Sequence, residues 1–406
     1  MTAPQFVSGH QIQLLRGGAA FFPALIAAID ASVHEVRLET YIFSFDSSGD
    51  QVAAAVERAA IRGVSVFLVM DGVGTPAVPD HWQLRFDKAG VLWHRFSPLG
   101  RWGLLIPVGW RRLHRKLCVV DAHIAFCGGI NILDDYFDPS YGQLDVARFD
   151  FAVRVCGPLV AAAHKTMVQF WGRLQVTQQL ERLQFKGARQ TWRDSGLSLR
   201  DWKPPGPVQT LAGSAGVNAA LVLRDNLLNR NRIERAYRKA IAGARHEVVI
   251  ASAYFLPGRK LRRALVHAAR RGVRVRLLLQ GRYEYFMQYH GARPVFGVLL
   301  EAGVEIHEYS VGFLHAKVAV VDQHWATVGS SNLDPLSLLL AREANVVIDD
   351  VAFAQELRTV LVAAMESQGV QLDAQSYERR PWRQRLLDRL AFGVMRLLLF
   401  LAGRRY

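Results

Sequence analysis

The sequence has 406 residues, of which 50% are hydrophobic and 21% are charged. This balance is typical of a globular chain with room for two or three domains, and it excludes wholesale disorder. Lysine and arginine number 50 against 35 aspartates and glutamates, giving a formal net charge of +15. A chain this basic favours an anionic partner, and at this stage both nucleic acid and anionic lipid fit.

The cysteines and the N-terminus indicate a reducing compartment. Cys118, Cys127 and Cys156 are too few for a disulfide framework and show no CxxC spacing. We interpret them as small buried apolar residues. The first residues lack the basic start and the apolar run of a secretory signal peptide, so we expect the folded body to lie in the cytoplasm.

Two stretches of the sequence repeat the same order of local patterns. Each begins with an apolar strand, continues with helical periodicity and ends with a second apolar strand. The six segments are 34–43, 51–62 and 63–70 in the first copy, and 246–255, 259–271 and 272–279 in the second. This order predicts a right-handed parallel crossover in each half, and therefore a duplicated α/β fold.

Composition suggests where the domains end. Residues 186–212 include the run Lys203-Pro-Pro-Gly-Pro207, which cannot continue a helix and is typical of a linker. We expect a first lobe in residues 1–185, a second lobe in 213–370 and a basic amphipathic tail in 371–406.

The composition of the tail changes at Pro381. Arg383, Arg385 and Arg389 are followed by a largely apolar run, 390–402, shorter than the roughly 20 residues needed to span a bilayer. Apolar residues recur there at helical spacing: Leu386, Leu390, Val394, Leu397 and Leu401. The pattern predicts a helix that either lies in a membrane interface or packs on the body or on another subunit.

The most specific signal is a pattern that occurs twice, H-x-K-x4-D-x6-G-[GS]-x-N. The first copy contains His114, Lys116, Asp121 and Asn131, and the second contains His315, Lys317, Asp322 and Asn332. One H-x-K alone would mean little, because short motifs recur by chance. Two copies in the same register make chance a poor explanation.

The order of residues in this motif suits a phosphate site. Alternation along a strand puts His and Lys on one face. The Gly-Gly or Gly-Ser turn lets the backbone approach an anion, and the amide of Asn131 or Asn332 can donate to it. Asp121 and Asp322 would repel a phosphate, so we expect them to hold a turn or to pair with a basic residue.

The paired motifs resemble the HKD motifs of the phospholipase D superfamily. The segments 254–258, 324–337 and 343–347 also resemble short bacterial cardiolipin synthases of the B type, and the likeness covers about residues 8 to 370. This resemblance implies two similar α/β lobes, each with a mostly parallel sheet flanked by helices. The lobes would pack about a pseudo-twofold axis, with both motifs in one cleft.

The resemblance also implies roles for individual residues. His114 would be the nucleophile that forms a phosphohistidine, and His315 the general acid and then base. Residues implied to bind phosphate oxygens are Lys116, Lys317, Asn131 and Asn332, and the catalytic motif as a whole includes Asp121 and Asp322. Asp150 and Glu343 occupy the places of the family's histidine-orienting acids, but the sequence leaves their pairing with the histidines open.

This chemistry needs no metal or other cofactor. Two lysines and two amides can neutralise the charge that a metal would otherwise bind, and no carboxylate or Cys/His cluster in the sequence argues for one. Free imidazole has a pKa near ~6.5, so one neutral and one protonated histidine can coexist near neutral pH. If an alcohol resolves the phosphohistidine, one phosphodiester replaces another and no nucleotide is needed.

The substrate class must come from surface features, because fold alone does not choose it. Residues 99–113, before the first motif, interleave Trp, Leu, Ile and Arg, which is favourable at a bilayer interface; the alternative is a buried loop. The aromatic segment 283–289 fits either a substrate pocket or the core. We favour phosphatidyl transfer between two phosphatidylglycerol molecules, with release of glycerol; a phospholipid hydrolase and a nuclease are the alternatives.

The expected partners follow from that choice. They are phosphatidylglycerol and an anionic membrane surface; phosphatidylethanolamine stays open as a second donor, and we expect no nucleic acid. The expected location is peripheral, on the cytoplasmic face of a bacterial inner membrane.

Overall fold

The structure, a computed structural model, describes residues 5–98, 111–181, 216–225, 229, 231–283, 286–334 and 341–401. The expected linker, 186–212, and most of the apolar loop at 99–113 lie outside the described residues.

The first half of the chain forms one α/β lobe. Its strands are β1 (Val7–Arg16), β2 (Glu35–Thr40), β3 (Ser65–Asp71), β4 (Leu92–Phe96), β5 (Arg112–Leu113), β6 (Lys116–Val120), β7 (Ile124–Gly128), β8 (Phe137–Asp138), β9 (Gly142–Gln143) and β10 (Phe151–Cys156). Its helices are α1 (Gly17–Asp30), α2 (Ser47–Ile61), α3 (Asp80–Ala89) and α4 (Leu159–Glu181).

The second half forms a similar lobe. Its strands are β11 (Val217–Arg224), β12 (Glu247–Ser252), β13 (Arg274–Gln280), β14 (Glu305–Tyr309), β15 (Lys317–Val321), β16 (Trp325–Gly329), β17 (Ala341–Asp349) and β18 (Gly369–Gln371). Its helices are α5 (Arg232–Gly243), α6 (Arg259–Arg270), α7 (Phe286–Glu301), α8 (Val351–Gln368), α9 (Ala374–Glu378) and α10 (Trp382–Leu401).

The parallel pairing predicted for the two crossovers is confirmed in both lobes. β2 pairs in parallel with β3 across α2, and β12 pairs in parallel with β13 across α6. Each helix covers its sheet with residues at helical spacing; in α6 these are Leu261, Leu265 and Ala268. All six residues of β12 are buried, as expected for a strand covered on both faces.

All the strands except β8 and β9, which pair with each other, join into one continuous sheet across the lobes. Its hydrogen-bonded order is β18-β14-β13-β12-β15-β16-β17-β11-β1-β10-β7-β6-β2-β3-β4, and the short β5 pairs with β17. Antiparallel pairing of β1 with β11 joins the two halves. The motif strands β6 and β15 lie at matching places, antiparallel to β2 and β12 respectively. The expectation of a mostly parallel sheet in each lobe is wrong, because parallel pairing within a lobe is confined to β2-β3-β4 and β12-β13-β14 and the other pairs within each lobe are antiparallel.

A shared hydrophobic core holds the lobes together. First-lobe strands contribute Leu117, Val119 and Val153 to it, and second-lobe strands contribute Val318, Val320 and Val346, all at most 1% exposed. Each lobe also has a core of its own beneath its helices. Because apolar side chains from both lobes pack into one cluster, the two motif strands are held at a fixed separation.

The tail is a helix that packs on the second lobe. α10 lies against α7, and its Ala391 and Met395 are buried. Asp388 of α10 accepts from Nδ1 of His290 at 2.8 Å and from Arg380 at 2.9 Å. Within the described residues, no helix combines the length and the apolar character needed to cross a bilayer.

Candidate active site

Two histidine–carboxylate pairs cross between the lobes. Nδ1 of His114 lies 3.1 Å from Oε1 and 3.2 Å from Oε2 of Glu343. Nδ1 of His315 lies 2.6 Å from Oδ2 of Asp150. The pairing that the sequence left open is therefore a crossed one, and in each ring Nε2 is the nitrogen left for chemistry.

The backbone produces this crossing. The N–H of His114 donates to the carbonyl of Arg342 at 3.1 Å, and the N–H of His315 donates to the carbonyl of Phe149 at 2.9 Å. Each accepting residue directly precedes the orienting carboxylate. β5 pairs in parallel with β17 at the first site, and Phe149 bridges Leu314 in parallel at the second. These short pairings between lobes fix each carboxylate beside its histidine.

The motif lysines share a face with the histidines, as strand alternation predicts. Nζ of Lys116 lies 3.3 Å from Nε2 of His114 and donates to its carbonyl at 3.0 Å. Lys317 donates to the carbonyl of His315. Both lysines are buried, so their charges act through a poorly screened interior.

The His114–Glu343 pair favours an ionised carboxylate. Burial by itself would raise the pKa of Glu343, but the charges of His114 and Lys116 and a hydrogen bond from Ser330 outweigh it and hold that pKa below its usual value. Burial lowers the pKa of His114, aided by Lys116 and Lys317 and opposed by Glu343. A neutral His114 beside an anionic Glu343 has its proton on Nδ1 and a lone pair on Nε2.

The His315–Asp150 pair is balanced differently. Burial raises the pKa of Asp150 to about 7, although Lys317 and Lys116 act in the opposite direction. Burial also lowers the pKa of His315, and both lysines lower it further. Near neutral pH both shifts favour a proton on Asp150 and a neutral His315, and the negative charge of a phosphate between the lysines would move that proton toward His315.

Lys116 and Lys317 together favour binding of an anion. Burial, with repulsion from Lys317, lowers the pKa of Lys116 to about 7. Two cationic lysines in one buried cleft repel each other, and a phosphate between them would relieve the repulsion.

Both motif asparagines are buried. Oδ1 of Asn131 accepts from the N–H of Ile42 at 3.2 Å, which leaves its amide as a donor. Asn332 is 2% exposed, and its Oδ1 has no hydrogen-bond partner among the described residues.

The motif glycines have a different role from the one expected. A Cβ on Gly129 would lie 2.2 Å from Oδ1 of Asp150, and a Cβ on Gly128 would lie 2.4 Å from the backbone of Ala152. The missing side chains thus admit Asp150 and its strand rather than an anion. At the position matching Gly129, Ser330 donates its hydroxyl to Glu343.

The motif aspartates lie away from the histidines. Asp121 accepts from the N–H groups of residues 33–35 at 2.8–2.9 Å, and Asp322 accepts likewise from 245–247. Each adopts φ +48° in a tight turn, which aspartate tolerates. Asp121 follows Lys116 by five strand residues, roughly 16 Å. Both aspartates therefore hold turns, and their place in the expected catalytic set is corrected.

Sequence reasoning missed two neighbours of the site. The ring of Tyr41 lies 4.9 Å from that of His114, and Nζ of Lys116 lies 5.4 Å from the Tyr41 centroid. Tyr41 carried no repeat signal, because Ala253 stands at the matching place in the second copy. Ser330 did differ visibly between the two copies, because it stands where the first motif has Gly129.

The cysteines form no disulfide among the described residues. Cys118 and Cys127 are buried free thiols, and Cys156 is a half-buried one. No group of three His, Cys, Asp or Glu side chains that could hold a metal ion occurs in the part of the chain that the structure describes.

Comparisons with known proteins identify the family of this chain. The family described as cardiolipin synthase, PLD-like domain, matches residues 25–144 and 237–364, one match for each lobe. Cardiolipin synthase B of Escherichia coli (strain K12) is 40% identical over 396 residues, covering 97% of this chain and 90% of that protein. Cardiolipin synthase B of Salmonella typhi is 39% identical with the same coverage.

The chain belongs to the cardiolipin synthase family. A crystal structure of phosphatidylserine synthase from Haemophilus influenzae Rd KW20 matches this family member with a TM-score of 0.65, 15% identity, and coverage of 97% of this chain and 95% of that one. At that identity the likeness shows the fold alone. It agrees with a cardiolipin synthase fold built from two similar α/β lobes.

Proposed function

We propose that this member of the cardiolipin synthase family transfers a phosphatidyl group from one phosphatidylglycerol to another and releases glycerol. The observation that carries the proposal is the crossed arrangement of His114 and His315 with Glu343 and Asp150. Both imidazoles keep Nδ1 at a carboxylate, so both can act through Nε2 on one phosphorus atom between the lobes.

In the first step, Nε2 of His114 attacks the phosphorus of the donor lipid. The bond from phosphorus to the departing glycerol oxygen breaks, and His315 gives that oxygen its proton. The product is a phosphatidyl group on His114. Glu343 stabilises the positive charge that develops on the ring, because its low pKa keeps it ionised.

In the second step, the hydroxyl of another phosphatidylglycerol attacks the same phosphorus. His315, now neutral, takes the hydroxyl proton, and the P–N bond to His114 breaks. Lys116, Lys317 and the amides of Asn131 and Asn332 stabilise the charge on the phosphate oxygens in both steps. One phosphodiester replaces another, so the exchange is close to neutral in free energy.

The partner that we propose is an anionic membrane, met from the cytoplasmic side of a bacterial inner membrane. The net charge of +15 supports it, since each basic residue near an anionic surface contributes about 1 kcal/mol. The relatives named cardiolipin synthase B support a lipid rather than a nucleic acid as substrate.

The test is a product analysis. Phosphatidylglycerol in vesicles or micelles is incubated with the protein, without added metal or nucleotide, and should yield cardiolipin and glycerol in equal amounts. Phosphatidic acid alone would mean hydrolysis, and cleavage of DNA or RNA alone would mean a nuclease. Adding labelled phosphatidylethanolamine tests whether it also donates a phosphatidyl group.

A further inference from the structure

Helix α10 has two faces with different surroundings. One face packs on α7 through Asp388, Ala391 and Met395, which are all buried. The opposite face carries apolar side chains that are 39–68% exposed. These residues, called here the α10 stripe, are Trp382, Leu386, Leu387, Leu390, Val394 and Leu397. At 3.6 residues per turn they span roughly 140° of the helix surface.

Charge is distributed unevenly around the stripe. Arg385, Arg389 and Arg396 are exposed along one border of it, and Arg383 lies within it. The one carboxylate of α10, Asp388, is buried on the opposite face and paired with His290. The solvent-facing side of this helix thus combines leucines with arginines and has no acidic residue.

Helix α10 packs antiparallel to α7. His290 of α7 contacts Asp388, whereas Arg293, one turn later, accepts through its carbonyl from Tyr377, which precedes α10. The two helices therefore run in opposite directions, so Phe286, the first residue of α7, lies toward the C-terminal end of α10. Phe286 is 45% exposed.

An aromatic rim, Phe286, Tyr283 and Tyr141, continues from that point to the cleft. The hydroxyl of Tyr141, on the first lobe, donates to the carbonyl of Tyr283, on the second, at 2.9 Å. The Tyr141 ring lies 5.2 Å from the ring of Phe313, two residues before His315. All three rim residues are 45–49% exposed.

We propose that the α10 stripe and the aromatic rim form one docking face for an anionic lipid bilayer, which presents the mouth of the cleft to the headgroup layer. Leucines bordered by arginines are typical of a helix lying in a membrane interface, and tyrosine and tryptophan are favourable at headgroup level. The proposal rests on the proposed function in one respect, because a lipid substrate would have to enter from this side.

The charges favour a bilayer over a second copy of the chain. An isologous dimer through the α10 stripe would bring two rows of arginines together without a carboxylate to pair them. An anionic bilayer supplies the missing negative charge. The packed and the interfacial interpretations of the tail therefore apply to opposite faces of the same helix.

The first experiment changes the apolar residues in the full-length protein. Leu390→Glu/Leu397→Glu should weaken binding to vesicles of phosphatidylglycerol and phosphatidylcholine by at least about 100-fold in co-sedimentation, since two apolar anchors become anions. The matched control is Ile61→Glu/Leu84→Glu, two first-lobe residues that are 69% and 71% exposed. The control should sediment like the wild-type protein, and both variants should keep its melting temperature because only exposed side chains change.

The second experiment changes charge alone. Arg389→Gln/Arg396→Gln should weaken vesicle binding by about 25-fold at low salt, roughly fivefold for each arginine. Lys88→Gln/Lys165→Gln removes the same charge from exposed positions on the first lobe and should have a much smaller effect. Vesicles of phosphatidylcholine alone should bind all these proteins weakly.

Three outcomes would overturn the proposal. The stripe variants could sediment like the wild-type protein, the two charge variants could lose equal affinity, or light scattering could show a wild-type dimer that the leucine variant dissociates while vesicle binding persists. His114→Ala separates this proposal from the reaction, because it should bind vesicles normally. If the wild-type protein binds these vesicles normally but forms no cardiolipin, the proposed function alone is contradicted.

Discussion

At the scale of single residues, the two histidines are chemically different although the repeat makes them look equivalent. His114 faces a carboxylate whose pKa is lowered, so the pair is suited to bear a positive phosphohistidine ring. His315 faces a carboxylate whose pKa is raised to about 7, so the pair readily gains and loses a proton. Because their surroundings move the pKa values of Glu343 and Asp150 in opposite directions, His114 is suited to be the nucleophile and His315 to be the acid–base group.

This difference predicts where a covalent intermediate forms. His114→Ala should abolish both cardiolipin and any phosphatidyl adduct. In His315→Ala a base-stable, acid-labile adduct should still form, slowed by about 10²–10⁴-fold because the leaving glycerol lacks its proton donor. The adduct is measured by trapping it with labelled lipid and locating the label by peptide mapping. His123→Ala, at an exposed turn, is the control. An adduct on His315 in the His114→Ala protein would reverse the two roles.

Burial of Lys116 predicts that replacing it with an apolar residue will abolish activity but increase stability. Lys116 has a pKa of about 7 in the folded chain and about 10.5 when unfolded, so near neutral pH the unfolded chain binds more protons and folding is penalised. Lys116→Met should raise the free energy of unfolding by roughly 2–4 kcal/mol at pH 7.5 while abolishing transfer.

The pH dependence of that gain gives the check. As pH rises from 7 toward 10.5, the unfolded lysine loses its proton, so wild-type stability should approach that of Lys116→Met. Urea unfolding at several pH values measures the difference, and exposed Lys88→Met should show neither effect. A Lys116→Met protein less stable than wild type at pH 7.5 would contradict the burial cost.

At the scale of elements, the sequence predicted what depends on local order. It predicted both crossovers and the shared face of His and Lys, whereas Asp150 and Glu343 were implied as orienting acids only by the family resemblance. It could not pair those acids with histidines, because the pairing depends on contacts of β5 with β17 and of Phe149 with Leu314. It also misread the glycines, since close approach of a neighbouring strand leaves no trace in the motif itself.

The close approach at Gly129 can be tested directly. In Gly129→Ala the new methyl group would displace the Asp150 carboxylate, which lies 2.2 Å from the added Cβ. His315 would lose its support, and turnover should fall by about 10–100-fold, the usual effect of removing an orienting partner. Gly258→Ala is the control, because nothing lies within 4 Å of its added Cβ. Comparable kcat values for the two variants would show that Asp150 tolerates the shift.

The tail helix contributes to folding as well as to docking. Deletion from Pro381 onward removes Met395 and Ala391 from the face of α7 and takes Asp388 from His290. We expect the deletion to cost about 2 kcal/mol or more, seen as a lower melting temperature. Weak vesicle binding by the deleted chain could therefore come from loss of the α10 stripe or from loss of stability. The substitutions of exposed leucines remove only the stripe and so separate these two effects. An unchanged melting temperature would mean that α10 adds nothing to the second lobe.

At the scale of the whole molecule, the two sequence repeats form one structural unit with a continuous sheet and a shared core. The repeat predicted two lobes but not their fusion, because β1 and β11 are separated by the whole first lobe and carry no pairing signal of their own. The fusion explains the crossed site: each half supplies a histidine, and each histidine needs a carboxylate from the other half. Neither half holds both members of either active-site pair, His114–Glu343 or His315–Asp150.

The continuous sheet and the shared core predict that the lobes unfold together. Val119 and Val153 of one lobe pack into the same cluster as Val320 and Val346 of the other, so loss of one lobe would expose the apolar face of its partner. Calorimetry of the full chain should give one transition with a calorimetric to van't Hoff enthalpy ratio near 1, which is unusual at this length. Val346→Ala should shift that single transition down without splitting it. Two separate transitions, with adduct formation on His114 surviving the first, would show that the lobes fold independently and that the crossed carboxylates are dispensable.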